Sequence, residues 1–447
     1  MATRTNTQSK IEYVLKTVEE RKVSFIQLWF SDVLGTPKSF QITPAELETA
    51  LVDGMTFDGS AIDGFSRVQE SDVIALPDPT TFCLLPSDPS IGRVFCDINN
   101  LDSTPFAGCP RNTLRSALDR AHQLGYSFFA APELEYFYFS AKPVDGVPEP
   151  LDYGSYFELT VSDLPSQLRK KTVLALEDMG IPVEYSQHED APSQHEIDLR
   201  YTDALTMADN VMTTRLVVKE IAAQHGVHAT FMPKPIAGVQ GSGMHTHFSL
   251  FKDNVNAFYD GDAPWGLSTV AQQFIAGVLR HAPEITAITN QWVNSYKRLV
   301  VGYEAPVYVS WAQNNRSALV RVPKPKANNS DATRIEYRAL DPAANPYLAF
   351  AVILGAGLRG IQEGYELPDQ TTENLFSLSP EQVSKMGIRS LPGNLDEAVR
   401  EMENSTLVRE ILGEHVFEWF VRNKKDEWAG YKTHVSQFEI ERYLGRL

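Results

Sequence analysis

A small, mostly β unit followed by a larger domain of mixed helices and strands is what this sequence predicts. Three observations carry that expectation. The chain has 447 residues, where one domain usually takes roughly 100 to 200, so it holds several domains or one large catalytic domain with a smaller partner. Residues 1–108 are rich in short β-like runs cut by Gly, Pro and Asp turns. From Cys109 onward the apolar residues take helical spacing, which divides the chain into domains at 1–108 and 109–447.

Taken in chain order, Ser24-Phe25-Ile26-Gln27-Leu28-Trp29-Phe30 and Gly92-Arg93-Val94-Phe95-Cys96-Asp97 read as strands of the first unit. At Cys109-Pro110-Arg111-Asn112 a helix begins, with Leu114, Ala117, Leu118, Ala121 and Leu124 on one face. Strand-like segments near 127–139, 181–201, 227–250 and 317–338 then alternate with helical ones near 203–225, 266–281 and 346–364. The C-terminal segment carries Val416, Phe417, Phe420, Val421, Trp428, Tyr431 and Tyr443 among many charges, and reads as helices packing on the body or on another subunit.

Composition bounds the function. Hydrophobic residues make up 43% and charged residues 22%, a soluble globular balance that excludes collagen-like, mucin-like and wholly disordered chains. A net charge of −17 has the wrong sign for binding nucleic acid through phosphate neutralisation. The longest apolar stretch, Pro346 to Leu358, falls well short of the roughly 20 residues of a membrane helix and contains Gly355 and Gly357, so no membrane span is expected. The polar start MATRTNTQSK has no apolar signal core, and a cytoplasmic address is expected. Cys83, Cys96 and Cys109 are odd in number and lack zinc-type spacing, so they read as reduced core thiols.

The chemistry-bearing signal is acidic residues on strands that should be apolar. In Pro132-Glu133-Leu134-Glu135-Tyr136-Phe137 the two-residue strand period puts Glu133 and Glu135 on one face among aromatics. Two poorly solvated like charges repel, and a divalent cation would relieve both costs; an edge strand with a solvated face is the alternative. The pattern returns in His188-Glu189-Asp190-Ala191-Pro192-Ser193-Gln194-His195-Glu196, and in Arg334-Ile335-Glu336-Tyr337-Arg338, whose charged residues share a face. In Gly241-Ser242-Gly243-Met244-His245-Thr246-His247, a glycine-rich approach leads to two histidines on one face. Five glutamates with one or two histidines form an oxygen-dominated set suited to Mg²⁺ or Mn²⁺. His195 reads as a surface residue or one standing behind the ligands.

Arg298, Arg316, Arg321, Arg334 and Arg338 crowd into a short span, and a guanidinium fork grips carboxylate or phosphate in two-point contact. Anionic substrates with divalent cations point to phosphoryl transfer. Between them, Gly302-Tyr303-Glu304-Ala305-Pro306 reads as a lid carrying an acid/base residue, or as a plain turn. Gly355-Ala356-Gly357-Leu358-Arg359-Gly360 fits a dinucleotide-binding pattern, but Asn345-Pro346 starts a helix through it, so these glycines are expected to permit close helix packing. No P-loop motif is present, so ATP would be held by other means.

Together these residues resemble type I glutamine synthetases over nearly the whole chain. The matching segments are FDGSAIDGF (57–65), PELEYF (132–137), HEDAPSQHEIDLRY (188–201), GSGMHTHFSL (241–250), NSYKRLVVGYEAP (294–306), NRSALVRVP (315–323) and RIEYRALDPAANPYLAF (334–350). The length resembles the shorter, alpha branch. The resemblance implies an α+β fold: a β-grasp N-terminal domain, a catalytic domain with a curved antiparallel sheet flanked by helices, and a homo-oligomer, a dodecamer with active sites between subunits. It implies ATP-dependent ligation of ammonium to L-glutamate through γ-glutamyl phosphate, with two or three Mg²⁺ or Mn²⁺ ions per site.

Carried over residue by residue, the resemblance implies one cation on Glu135, Glu189 and Glu196 and a second on Glu133, His245 and Glu336. Gly241, Arg298 and Arg338 would contact glutamate, and Arg316, Arg321 and Arg334 the phosphates. Tyr201, His247 and Ser249 would line the nucleotide site. Asp58, Asp72, Tyr156 and Glu189 would form the ammonium pocket, with Asp58 the base, in the neighbouring subunit's site. Glu304 would close over the intermediate. The chain departs from the family pattern at Ala61, Gln187, Gln240, Asp331 and Thr333, which keeps open a related ligase that joins glutamate to polyamines or other amines. Phe376 stands where the longer branch carries a modifiable tyrosine, and Arg67 resembles an arginine tied to feedback inhibition.

Overall fold

A computed structural model describes residues 2–65, 71–140, 148–159, 163–303, 305–324 and 330–447. The first 99 residues build a six-stranded sheet in the order Pro37–Ile42, Phe25–Ser31, Asp88–Asn99, Asp72–Pro77, Met55–Asp58, with Cys83–Leu85 added beside Asp88–Asn99. Phe25–Ser31 and Asp88–Asn99 run parallel, and the other pairs are antiparallel. The mostly β reading missed the helix Ala2–Glu20 that opens the chain. Its apolar stripe is thin, with Ile11, Val14 and Val18 buried among threonines, lysines and glutamates. With the helix Pro44–Asp53 on one side of this sheet, the arrangement is a small β-grasp domain.

The catalytic domain begins with the helix Pro110–Gln123 and centres on a ten-stranded curled sheet. Its main path runs Tyr308–Ala312, Ala318–Arg321, Ile335–Tyr337, Thr246–Lys252, Ser127–Phe139, Gln194–Leu199, Val183–His188. Ser127–Phe139 is the strand that holds the sheet together. Its first half, through Pro132, pairs with Thr246–Lys252, and its second half, from Glu133, pairs with Gln194–Leu199. Glu133 and Glu135 therefore lie on a central strand, and the edge-strand alternative is excluded. Pro132 costs the ladder one donor at the changeover, and the next amide, Glu133 N–H, donates to the His245 carbonyl at 2.8 Å. Helices Ala204–Gln224 and Thr269–Thr289 pack on the sheet, Pro346–Glu363 packs on both of them, and Thr406–Thr433 packs on Pro346–Glu363. None of the helices among the described residues is long and apolar enough to cross a membrane.

Gly355, Gly357 and Gly360 lie inside the helix Pro346–Glu363, capped by the Asn345 side chain and ended by Gly364 in the left-handed region. They serve packing. A Cβ on Gly360 would sit 2.1 Å from the Gln273 carbonyl oxygen and 2.8 Å from the Gly277 Cα. Because those atoms are backbone and cannot swing away, Gly360→Ala is expected to cost about 1–3 kcal/mol or more through forced separation of the two helices. A lowered midpoint of urea unfolding is the expected readout, and an unchanged one would remove the close-packing role.

The junction between the domains is ionic and buried. The Arg111 guanidinium donates to Asp97 at 2.5 Å and Asp78 at 3.0 Å, both from the β-grasp domain. It also takes both Asp209 oxygens of the helix Ala204–Gln224, at 2.9 and 3.1 Å. Tyr347 donates to the same Asp209 at 2.6 Å. Beside this cluster the buried Arg93 stacks over Phe95 with its guanidinium carbon 4.9 Å from the ring centre. Cys96 and Cys109 are buried, Cys83 is half-buried, and all three are unpaired.

Candidate active site

The register of the curled sheet makes a square of carboxylates. Glu133 lies directly across from Asp198, and Glu135 directly across from Glu196. Alternation puts all four on one face. The third strand of that edge, Val183–His188, brings Gln187 opposite Glu196. Its side-chain amide donates at 3.0 Å to both Glu189 and Glu196, so one nitrogen bridges two carboxylates. From the other side, Glu336 lies opposite His247 in the ladder.

Around this square the predicted residues gather in two adjoining cavities. Glu133, His245 and Glu336 offer ligand atoms that all lie within 4.8 Å of one another. His245 Nδ1 is 3.3 Å and His247 Nε2 2.8 Å from the two oxygens of Glu133. The strand itself starts only at Thr246, so His245 reaches the cluster from the end of the glycine-rich approach. Glu135, Glu189, Glu196, Gly241, Tyr156, Arg298, Arg316 and Arg338 line the same cavity of about 240 Å³. Tyr201, His247, Ser249, Arg321 and Arg334 line a second cavity of about 410 Å³, with Asp331 and Thr333 on its wall. Glu133 and Arg321 border both.

The electrostatics of the square suit a divalent cation. Burial pushes Glu135 well above the usual carboxylate range and the Glu189 charge adds to it, with Arg298 only partly opposing. Burial followed by Asp198, Glu135 and Glu189 does the same to Glu196. Glu133 goes the other way: burial would raise it, but hydrogen bonds from His245 and His247 hold it well below the usual range. Glu336 is also held low against burial, chiefly by Arg338, whose Nη1 donates to it at 3.0 Å while Arg321 donates at 2.6 Å. A nest that resists ionisation at three positions and already carries charge at two others lowers its energy by taking a compact dication. Burial raises Asp198 too, and the facing Glu133 takes it to about 7.

Two family models match the chain, "Glutamine synthetase, beta-Grasp domain" over residues 22–101 and "Glutamine synthetase, catalytic domain" over residues 107–443. Among curated proteins, glutamine synthetase of Mycobacterium tuberculosis H37Rv is 54% identical over 439 residues, covering 97% of this chain and 98% of its own. The chain belongs to the glutamine synthetase family. Glutamine synthetase of Thermotoga maritima is 48% identical, covering 97% of this chain and 99% of its own. A solved GmaS/ADP complex matches with a TM-score of 0.87 at 31% identity, covering 96% of this chain and 99% of that one.

Not every predicted residue of this glutamine synthetase family member joins the cavities. Asp58 and Asp72 face each other across strands Met55–Asp58 and Asp72–Pro77, exposed at the end of the β-grasp sheet and outside both cavities. Glu304 and Arg67 lie outside the described residues. His195, read as a surface residue or one behind the ligands, is wholly buried and bonded to Asp152. Three residues escaped the sequence reading. Gln194 donates to Glu135 at 2.9 Å and to the Gly241 carbonyl at 3.2 Å, tying the metal-type cluster to the glycine-rich segment. Asp198 extends the period of Glu196 by two residues, a signal that was present in the sequence. Its Oδ1 is buried with no hydrogen-bond partner among the described residues. Asp152 had no local signal at all.

Proposed function

We propose that this chain joins ammonia to the γ-carboxylate of L-glutamate at the expense of ATP, through γ-glutamyl phosphate, releasing glutamine, ADP and phosphate. The observation that carries this reading is the convergence of Glu133, His245 and Glu336, with Glu133 at the border of two cavities, one lined by Arg298, Arg316 and Arg338 and the other by Tyr201, His247 and Ser249. Glu135, Glu189 and Glu196 would hold one Mg²⁺ or Mn²⁺, and Glu133, His245 and Glu336 another. The bound cations would supply charge neutralisation for the phosphate oxygens.

The chain's own groups do the rest. Arg338 keeps its Nε without a hydrogen-bond partner among the described residues, while Nη1 is anchored on Glu336, so the guanidinium is oriented with a donor in reserve for a carboxylate. Arg298, buried and tied to the Ala339 carbonyl at 2.7 Å, is pre-positioned beside Gly241. Arg321, Arg334 and Arg316 line the two cavities and would face the negative charge that develops during phosphoryl transfer. Tyr156 and Glu189 form the wall of the acceptor pocket. Asp58 and Asp72, exposed on the β-grasp domain, would complete the site of a neighbouring subunit, with Asp58 taking the ammonium proton. Glu304 would close the pocket against water. We read the assembly as a dodecamer in the cytoplasm.

A phosphate-release assay with ATP and glutamate tests the reading. Turnover is expected with ammonium, to fall more than a hundredfold on chelation, and to return with Mg²⁺ or Mn²⁺. Turnover with methylamine or polyamines but not ammonium would overturn the acceptor assignment in favour of a γ-glutamyl-amine ligase.

A further inference from the structure

Behind the acceptor wall lies a buried cluster that the proposed chemistry does not use. Asp152 sits in the segment leading to Tyr156, and its carboxylate is a hub. Oδ1 accepts from His188 Nε2 at 2.7 Å, Ser193 N–H at 3.0 Å and Gly154 N–H at 3.1 Å, while Oδ2 accepts from His195 Nε2 at 3.2 Å. The contact is returned, because Ser193 Oγ accepts from the backbone amides of Leu151 at 2.5 Å and Asp152 at 2.8 Å.

The hydrogen bonds determine the proton positions. His188 Nδ1 faces the Glu189 carbonyl at 2.6 Å and Nε2 faces a carboxylate, both acceptors, so both nitrogens carry protons. His195 Nδ1 faces the Arg169 guanidinium at 2.6 Å, a donor, so it accepts and Nε2 carries the ring's proton. Although Asp152, His188 and His195 lie close enough to hold a metal ion, these proton positions and the nearby guanidinium favour a hydrogen-bonded hub. The turn that presents Glu189 and Glu196 contains Ser193 at φ +61°, a strained position for a residue with a side chain. Asp152 holds that strained residue by its amide.

Resting on the reading of the acceptor pocket above, we propose that Asp152 is the positioning residue of that pocket, locking the segment that carries Tyr156 onto the hairpin that carries Glu189 and Glu196. The hub spans the two sides of the pocket wall. Tyr156 lines it from one side together with Gln187, while the Phe157 amide donates to the His188 carbonyl at 3.1 Å. A small acceptor offers few contacts, so its binding depends on wall spacing far more than that of glutamate or ATP.

Asp152→Asn keeps the shape but gives His195 a donor where it needs an acceptor. The expected result is at least a tenfold rise in KM for ammonium, with KM for glutamate and ATP within twofold and kcat at saturating ammonium within threefold. Tyr156→Phe should raise the same KM, and the double variant should be no worse than the poorer single one, because both act on one wall. Ser193→Ala loosens the same attachment without touching charge, should raise the ammonium KM about threefold, and carries the test if Asp152→Asn does not fold. Parallel changes in every KM and in kcat, or strictly additive effects, would overturn the proposal and leave Asp152 a stability residue. Should the unaltered protein use only larger amines, the ammonia reading fails separately, and the same pattern is read on the KM of that amine.

Discussion

Glu336→Ala is expected to lower kcat by roughly a thousandfold or more, the largest effect of any single change in the site. Glu336 does three jobs at once. It closes the triad with Glu133 and His245, it fixes Arg338 at 3.0 Å and it holds Arg321 at 2.6 Å. Removing it takes a ligand from the cation, releases the arginine that would grip glutamate, and frees one that faces the phosphates. It also leaves the buried Arg338 without its carboxylate, which costs about 3–5 kcal/mol for a broken buried pair. Glu336→Gln separates these contributions. The carboxamide oxygen can still accept from one of the two arginines, while its NH2 turns a donor toward the other, and it is a poor ligand for a hard dication, so turnover should fall at least a hundredfold while the unfolding midpoint falls less than in the alanine variant. Phosphate release and urea unfolding at a constant protomer concentration check both statements. A glutamine variant within tenfold of the parent would show that Glu336 positions arginines and does not hold a cation.

The second large effect concerns the junction. Arg111→Met should destabilise the protein by about 4 kcal/mol or more, because three aspartates packed around one buried guanidinium lose the counter-charge that joins all three, leaving Arg115 on Asp78 and Asp97. Burial already pushes Asp209 up, opposed by Arg111 and Tyr347; without Arg111 that opposition largely disappears. Arg111→Lys retains charge but cannot fork toward Asp78, Asp97 and Asp209 together, so an intermediate loss is expected. As Asp78 and Asp97 belong to the β-grasp domain and Asp209 to the catalytic domain, the damage should appear as easier separation of the two. The check is limited proteolysis between Asn99 and Pro110 alongside unfolding. Parent-like midpoints and cleavage rates in the methionine variant would show that the apolar contacts hold the domains together unaided.

The six ligand-type residues were legible because each is locally anomalous: Glu133, Glu135, Glu196 and Glu336 interrupt strands at the two-residue period, Glu189 belongs to the first of two His-Glu pairs, and His245 follows a glycine-rich run. Helices such as Pro346–Glu363 were legible for the same local reason, with a cap, a proline and an apolar run of helical length. The opening helix was not, since a stripe of three apolar positions is a weak signal until a core exists to cover it.

What the sequence by itself determined is therefore periodic and local: which residues share a strand face, where helices start, and the family those patterns match. What only the tertiary structure decided is which distant strands lie side by side. The register set Asp198 against Glu133 and brought Gln187 between Glu189 and Glu196. Chain reversal carried Asp152 to His188 and His195, and helix docking placed Asp209 on Arg111. None of these pairings leaves a mark on neighbouring residues. Side-chain direction along a strand follows from backbone geometry a few residues long, whereas partnership across a sheet follows from the packing of the whole chain.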